Sequence, residues 1–334
     1  MNKMMVNVLA FSVAALFASG VAQAQVNAHT FRLSTAGATG HPSIAGGEKF
    51  GELVSQKSGG KMTVKVFAAG VLGGDVQALS AVQGGTIDFT VMNSGILQTQ
   101  VKEFAIFDFP FMFLSGKQAD AVLDGPFGKK MADMLPPKGL VNLAYWELGF
   151  RQLTNSKRSI KSADDINGLK IRVIQSPIYL DTWSALGANP VPMPFTEVYT
   201  ALEQKVIDGQ ENPFSVILTS KLNEVQKFIG ITNHMYNPQS LLMSKKVWDK
   251  LTKDEQKILT DAAKEATAVE RKYARDAADQ AIVELKKTVE VTPLPPTEIA
   301  KIQAKLKPVI DKYSANVGPD LVKELQAELA KAPQ

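Results

Sequence analysis

Two residue periods alternate between residues 29 and 93, and no other feature of the chain narrows its fold as much. HTFRLSTA (29–36), KMTVKVFAAG (61–70) and TIDFTVMN (86–93) carry apolar residues at every second position, as half-buried strands do. HPSIAGGEKFGELVSQKSGG (41–60) and DVQALSAVQGG (75–85) carry them at helical spacing and close on glycines. A β-α-β-α-β succession predicts an α/β fold in which helices cover a sheet.

The pattern continues. Residues 115–134 read as helix, and GLVNLAYWE (139–147) as a strand leaving a first domain. RQLTNS (151–156) and LKIRVI (169–174) read as strands, and PIYLDTWSALG (177–187) as a helix with proline in its first turn. PFTEVYTALEQKVIDG (194–209) reads as a helix capped by Thr196 and Gly209. EVQKFI (224–229) and QSLLMS (239–244) are strand candidates. In residues 252–287, Leu259, Ala262, Ala266, Val269, Tyr273, Ala277 and Ala281 keep to steps of three or four, predicting one helix of ~50 Å at 1.5 Å per residue. That length exceeds what one small domain needs, so the helix is expected to bridge two. TPLPPTEI (292–299) breaks it, and two short helices are expected to finish the chain.

The N-terminus reads as an export signal. Lys3 precedes an apolar run over residues 6–18, too short to span a bilayer, and Ala22-Gln23-Ala24 is a cleavage signal. Residues 1–24 are expected to be removed. The later apolar run FAIFDFPFMFL (104–114) is short and broken by Asp108 and Pro110. The chain has no cysteine, which excludes disulfides, thiolate metal ligands, a cysteine nucleophile and a lipid anchor at the cleavage point. The formal charge of +4 is spread along the chain without a basic block, so nucleic acid is not expected as a partner.

Catalytic motifs are absent. His29, His41 and His234 stand apart and read as unrelated polar or capping residues. SGGKMT (58–63) fails as a phosphate loop, because Ser55 stands where the first glycine belongs and Met62 where the metal-binding hydroxyl belongs. Neither G-x-G-x-x-G nor G-x-S-x-G occurs. No enzyme activity, cofactor or metal is expected. Two strand arginines do suggest chemistry: Arg151 in ELGFRQLTNS and Arg172 in LKIRVI. A planar guanidinium grips a carboxylate through two parallel bonds. Asn212, before Pro213, offers an amide, and Phe195 offers an apolar wall.

These stretches are recognisable. RQLTNSKRSI with SADDINGLKIRV, then LGANPVPMPFTEVYTALEQKVIDGQENP and EVQKFIGITNHMYNPQSLLMS, together with FDFPFMF and ALSAVQGGTIDFTV, resemble the solute-binding subunits of tripartite ATP-independent periplasmic (TRAP) transporters, the DctP-type family. The resemblance implies a two-domain periplasmic binding-protein fold with crossing strands and a long domain-spanning helix. Residues 25–149 plus 238–277 would form one domain and residues 150–237 plus 278–334 the other, with the ligand between them. It implies a periplasmic monomer that captures an organic acid and hands it to small and large membrane permease subunits. Arg172 matches the family's carboxylate-binding arginine, Asn212 its cleft asparagine and Arg151 a second ligand arginine. Gln175, Phe195 and Asn93 match cleft-lining positions, Thr35 a contact in the first strand-to-helix loop, and Tyr236 a position near the return crossing. Leu148 stands where sugar-acid binders often carry a polar residue, and Ile96 and Leu97 where sialic-acid binders carry charge. The expected ligand is therefore a small monocarboxylate, a 2-oxo or 2-hydroxy acid or one with an apolar tail, with uronic or other sugar acids as the alternative. A periplasmic sensory protein would use the same fold and cleft.

Overall fold

The computed structural model describes residues 26–333, so the expected signal peptide lies outside the described residues. In chain order the strands are β1 (His29–Thr35), β2 (Met62–Phe67), β3 (Phe89–Asn93), β4 (Leu140–Phe150), β5 (Gln152–Asn155), β6 (Lys170–Val173), β7 (Asn189–Pro192), β8 (Gly209–Asn212), β9 (Phe228–Ile231), β10 (Tyr236–Ser244) and β11 (Glu290–Pro293). Among the described residues they form a five-stranded sheet ordered β2-β1-β3-β10-β4 and a six-stranded sheet ordered β11-β9-β5-β8-β6-β7.

The first lobe follows directly from the alternating periods. β1 pairs in parallel with β2 and β3, and helices Pro42–Lys57 and Asp75–Gly84 supply the crossovers. Phe31 and Phe50 each pack edge-to-face with Phe89, ring centres 5.4 Å apart, which seals helix to sheet. Two segments cross between the lobes. β4 ends at Phe150, and the chain runs through Arg151 into β5 of the other sheet; it returns from β9 through Met235 into β10, and Arg151 N–H donates to the Met235 carbonyl at 2.9 Å.

The long helix spans Lys253–Leu285 and opens with a capping box, Glu255 N–H on Thr252 Oγ1 and Thr252 N–H on Glu255 Oε2. Its first turns bury Leu259, Ala262, Ala263 and Ala266 in the first lobe's core, and its last turns bury Ala281 and Leu285 in the second lobe's. The helix therefore joins the two. Midway, the expected apolar stripe gives way. Val269 and Tyr273 are 44% and 37% exposed, while Glu270 and Arg271 are buried. The reason is β4, an edge strand whose unpaired backbone needs partners. Arg271 donates to the Tyr145 carbonyl at 2.7 Å, and Glu270 accepts the Glu147 N–H at 2.8 Å.

Other expectations also shift. Residues 194–209 hold only a short α-helix, Val198–Glu203, and Thr196 caps nothing because it lies in a 3-10 turn. TPLPPTEI contributes the end of strand β11, which pairs in parallel with β9. The next helix, Pro296–Val317, is not short at 22 residues, and Tyr313 ties it to Asp181 at 2.9 Å. The last helix, Pro319–Lys331, returns to the first lobe, where the Gln118 side chain donates to the Leu329 carbonyl at 3.3 Å. Among the described residues no helix is long and apolar enough to cross a membrane.

Candidate ligand-binding site

The two sheets point strand ends at each other, and a cleft with about 430 Å³ of empty space, part of it open to solvent, lies between them. Thr35 closes β1, Asn93 closes β3 and Asn212 closes β8; all three line it. Strand ends are where open α/β sheets present side chains and loops to ligands. Arg172, on β6 beside β8, and Phe195 line it on the same side as Asn212, facing Thr35 and Asn93 of the other sheet, and Arg151 enters from the crossing segment.

The two arginines differ in what they touch. Arg151 is fully buried and spends its donors inside the protein. Its Nε and Nη2 bond the Glu211 carboxylate, Nη2 also reaches the Glu211 carbonyl, and Nη1 donates to Asn237 Oδ1 at 2.7 Å. Burial opposes its charge, but Glu211, Tyr179 and Asp108 outweigh that and hold it above the usual arginine range. Arg172 is 3% exposed and has no ion pair among the described residues. Its Nε and Nη2 donate to one carbonyl, Met193 O, at 2.9 and 2.7 Å, and its guanidinium lies 5.7 Å from the Phe195 ring centre. Nη1 has no partner among the described residues. Burial, with Arg151 adding repulsion, pushes Arg172 down to about 10, so it stays protonated at neutral pH.

The surrounding groups are rich in acceptors. Asn93 donates to Asn237 Oδ1 at 2.9 Å and leaves its own Oδ1 buried without a partner among the described residues. Gln239 Oε1 is also buried and unpaired. Asn212 donates to Gln210 Oε1 at 2.6 Å. Thr35 Oγ1 meets Ser43 Oγ at 2.7 Å. Leu148, Val91, Ile174 and Val216 supply apolar wall.

Two expected residues are not brought to the cleft. Gln175 is exposed, because β6 ends at Val173 and the chain turns toward helix Pro177–Ala185; Ile174 faces the cavity instead. Tyr236 is buried behind it, between the rings of Phe113 and Phe150, with its hydroxyl 3.2 Å from Glu147. Ile96 and Leu97 belong to the core.

Three polar cleft residues escaped the sequence reading. His41 is indeed a helix cap, its Nδ1 accepting Ser43 N–H at 3.1 Å, but its ring also lines the cavity. Burial pushes it down to about 4, so it is neutral with its proton on Nε2. Asp75, the first residue of its helix, lines the cavity without a hydrogen bond to any described residue. Burial pushes its carboxyl up to about 6, with Arg172 pulling the other way. Gln239 lies on β10, at the start of the strand candidate QSLLMS, but nothing local marked it as polar lining.

Behind the cleft lies a buried polar hub. Asn237 accepts from Arg151, Asn93 and Tyr179 and donates to Asp108 Oδ1 at 3.0 Å. His234 Nε2 donates to Glu211 at 3.1 Å. Burial, reinforced by Glu211 and opposed by Arg151, pushes Asp108 up to about 7. The lobes also touch in front: Gln98 bonds Ser176, and a Cβ on Gly70 would stand 2.5 Å from Thr196 Cγ2.

Residues 33–316 match the family described as bacterial extracellular solute-binding protein, family 7, DctP. The chain belongs to this family. DctP proteins bind solutes for transport and are not enzymes. The two-lobed α/β fold agrees with a solved relative, the sugar acid binding protein DctPAm from Advenella mimigardefordensis in complex with galactonate. That structure is 41% identical, covers 92% of this chain and 99% of its own, and superposes with a TM-score of 0.90. A TRAP periplasmic solute-binding protein from Ochrobactrum anthropi, with its C-terminus bound in the ligand-binding pocket, is 49% identical over 91% of this chain and 96% of its own, with a TM-score of 0.81. The 2,3-diketo-L-gulonate-binding periplasmic protein YiaO of Escherichia coli is 38% identical over 69% of this chain and 70% of its own length.

Proposed function

We propose that this DctP-family protein captures a small organic acid in the periplasm, through a carboxylate clamp at Arg172, and delivers it as a monomer to the small and large permease subunits of a TRAP transporter. The observation that carries the clamp is the setting of Arg172: buried, facing the cleft between the lobes, and bonded only to a neutral carbonyl. A buried guanidinium that no carboxylate contacts directly is costly, and a ligand carboxylate bonded to it would offset that cost. Arg151, already neutralised by Glu211, keeps one Nη1 hydrogen for a secondary contact. Asn212, Asn93 and Thr35 offer polar contacts, and Phe195 covers the guanidinium face. The two sheets, with their covering helices, are the bodies that close on the ligand, divided near residues 149/150, 237/238 and 277/278, with the last helix, Pro319–Lys331, rejoining the first.

For the rest of the ligand, the apolar wall around Leu148 favours a small 2-oxo or 2-hydroxy acid. The unpaired acceptors on Asn93 and Gln239 favour the second reading, a sugar acid, because they need donors and hydroxyls supply them. Melting temperature, read on protein unfolded and refolded to strip carried-over ligand, should rise with one class of carboxylate and not with neutral or cationic metabolites. The rise should vanish in Arg172→Ala. An unchanged rise in that variant would move the clamp elsewhere.

A further inference from the structure

We infer that Asp75 restricts the cleft to monoanions, accepting hydrogen bonds from ligand hydroxyls and turning away acids that carry a second carboxylate. This rests on the Arg172 clamp and narrows it to a ligand class. The charges around the cavity set the argument. Its cationic lining residues are Arg151 and Arg172. Glu211 cancels the first, leaving one cation for one ligand carboxylate. His41 is neutral and cannot balance another. Asp75 is the remaining charged lining group, and it has the sign that repels a second carboxylate.

Position and bonding make Asp75 a built feature. It opens helix Asp75–Gly84, and the turn before it is held by Gly74 N–H on Gln77 Oε1 at 3.0 Å. It forms neither a hydrogen bond nor an ion pair with Arg172, so its oxygens remain open to a ligand. A carboxylate oxygen only accepts, and so do the unpaired Asn93 Oδ1 and Gln239 Oε1. A ligand carboxylate brings more acceptors to these groups; a hydroxyl brings a donor.

The test is calorimetric titration of refolded protein with acids that differ by one carboxylate: galactonate against galactarate, and erythronate against tartrate. Wild type is expected to bind the monoanion of a pair at least tenfold more tightly than the dianion. Asp75→Asn keeps the size and an acceptor but removes the charge, and should narrow that ratio at least fivefold; Asp75→Ser, smaller and neutral, should narrow it too. Melting curves without ligand establish that both variants fold. Equal affinity of wild type for both members of a pair, or an unchanged ratio in both folded variants, overturns the inference. If Arg172→Ala then loses all binding, the clamp survives and only the role of Asp75 falls. If neither pair binds wild type, the inference falls, and the melting-temperature series over other carboxylates decides the organic-acid reading separately.

Discussion

Arg151 and Arg172 line the same cleft and are both buried, yet one is built into the protein and the other is kept for something outside it. Around Arg151, Glu211, Asn237 and the Tyr179 ring fill almost every contact. Around Arg172 there is one carbonyl and one aromatic face. Burial depth does not separate a structural charge from a functional one. What separates them is whether the counter-charge is supplied from within.

Substitutions should drive this contrast further apart. The largest effect is expected at Arg151: Arg151→Ala strands Glu211 in the interior and should cost about 3–5 kcal/mol of stability, read by denaturant unfolding. Arg172→Ala should reverse the pattern. Its stability should stay within about 1 kcal/mol of wild type, because the partner that loses its donors is one neutral carbonyl, Met193 O, and no buried carboxylate is stranded, while ligand binding weakens by about 2–5 kcal/mol in calorimetry. Equal stability losses at the two sites would erase the distinction.

The hub behind the arginines sharpens it through pH. Asp108 is pushed up to about 7, above its unfolded value, so the folded state binds its proton more tightly. That contribution is complete below about pH 4 and is lost as pH rises to about 7. Asp108→Asn, which has no proton to lose, should gain on wild type by about 4 kcal/mol between pH 4 and pH 8, measured as the difference between paired unfolding curves. A pH-independent difference would show that Asp108 is already ionised in the fold.

The smallest effect concerns closure. Gly70 has φ of +67°, and an added Cβ would stand 2.5 Å from Thr196 Cγ2 across the cleft. Gly70→Ala should weaken ligand binding by about 1 kcal/mol. Thr196→Ser in the same chain removes Cγ2 and should restore part of it. No restoration would assign the loss to backbone strain alone.

Much of the site was legible in motifs, and the misses have physical causes. Arg172, Asn212, Phe195, Asn93 and Thr35 lie on strand ends or in the loops beside them, where resemblance and strand alternation point the same way. Gln175 failed because alternation stops with β6, so the side chain after Ile174 turns to solvent. Tyr236 failed because β10 is buried on both faces, and alternation there cannot tell cleft from core. His41 read as a cap, which it is; a cap at a strand-to-helix loop can also face a ligand. In the long helix the apolar stripe was followed past Ala266, where the edge of β4 selects Glu270 and Arg271 for burial instead.

By itself, the sequence determined the alternating α/β plan, the long helix after Thr252, the absence of cysteine chemistry and the family motifs, all of which depend on neighbours close along the chain. Tertiary structure decided which arginine is free. β5 and β8 pair with Leu153 opposite Glu211, which brings that carboxylate to Arg151, 60 residues away in sequence, and leaves Arg172 without one. Strand register sets such a pairing, and register is a property of the assembled sheet.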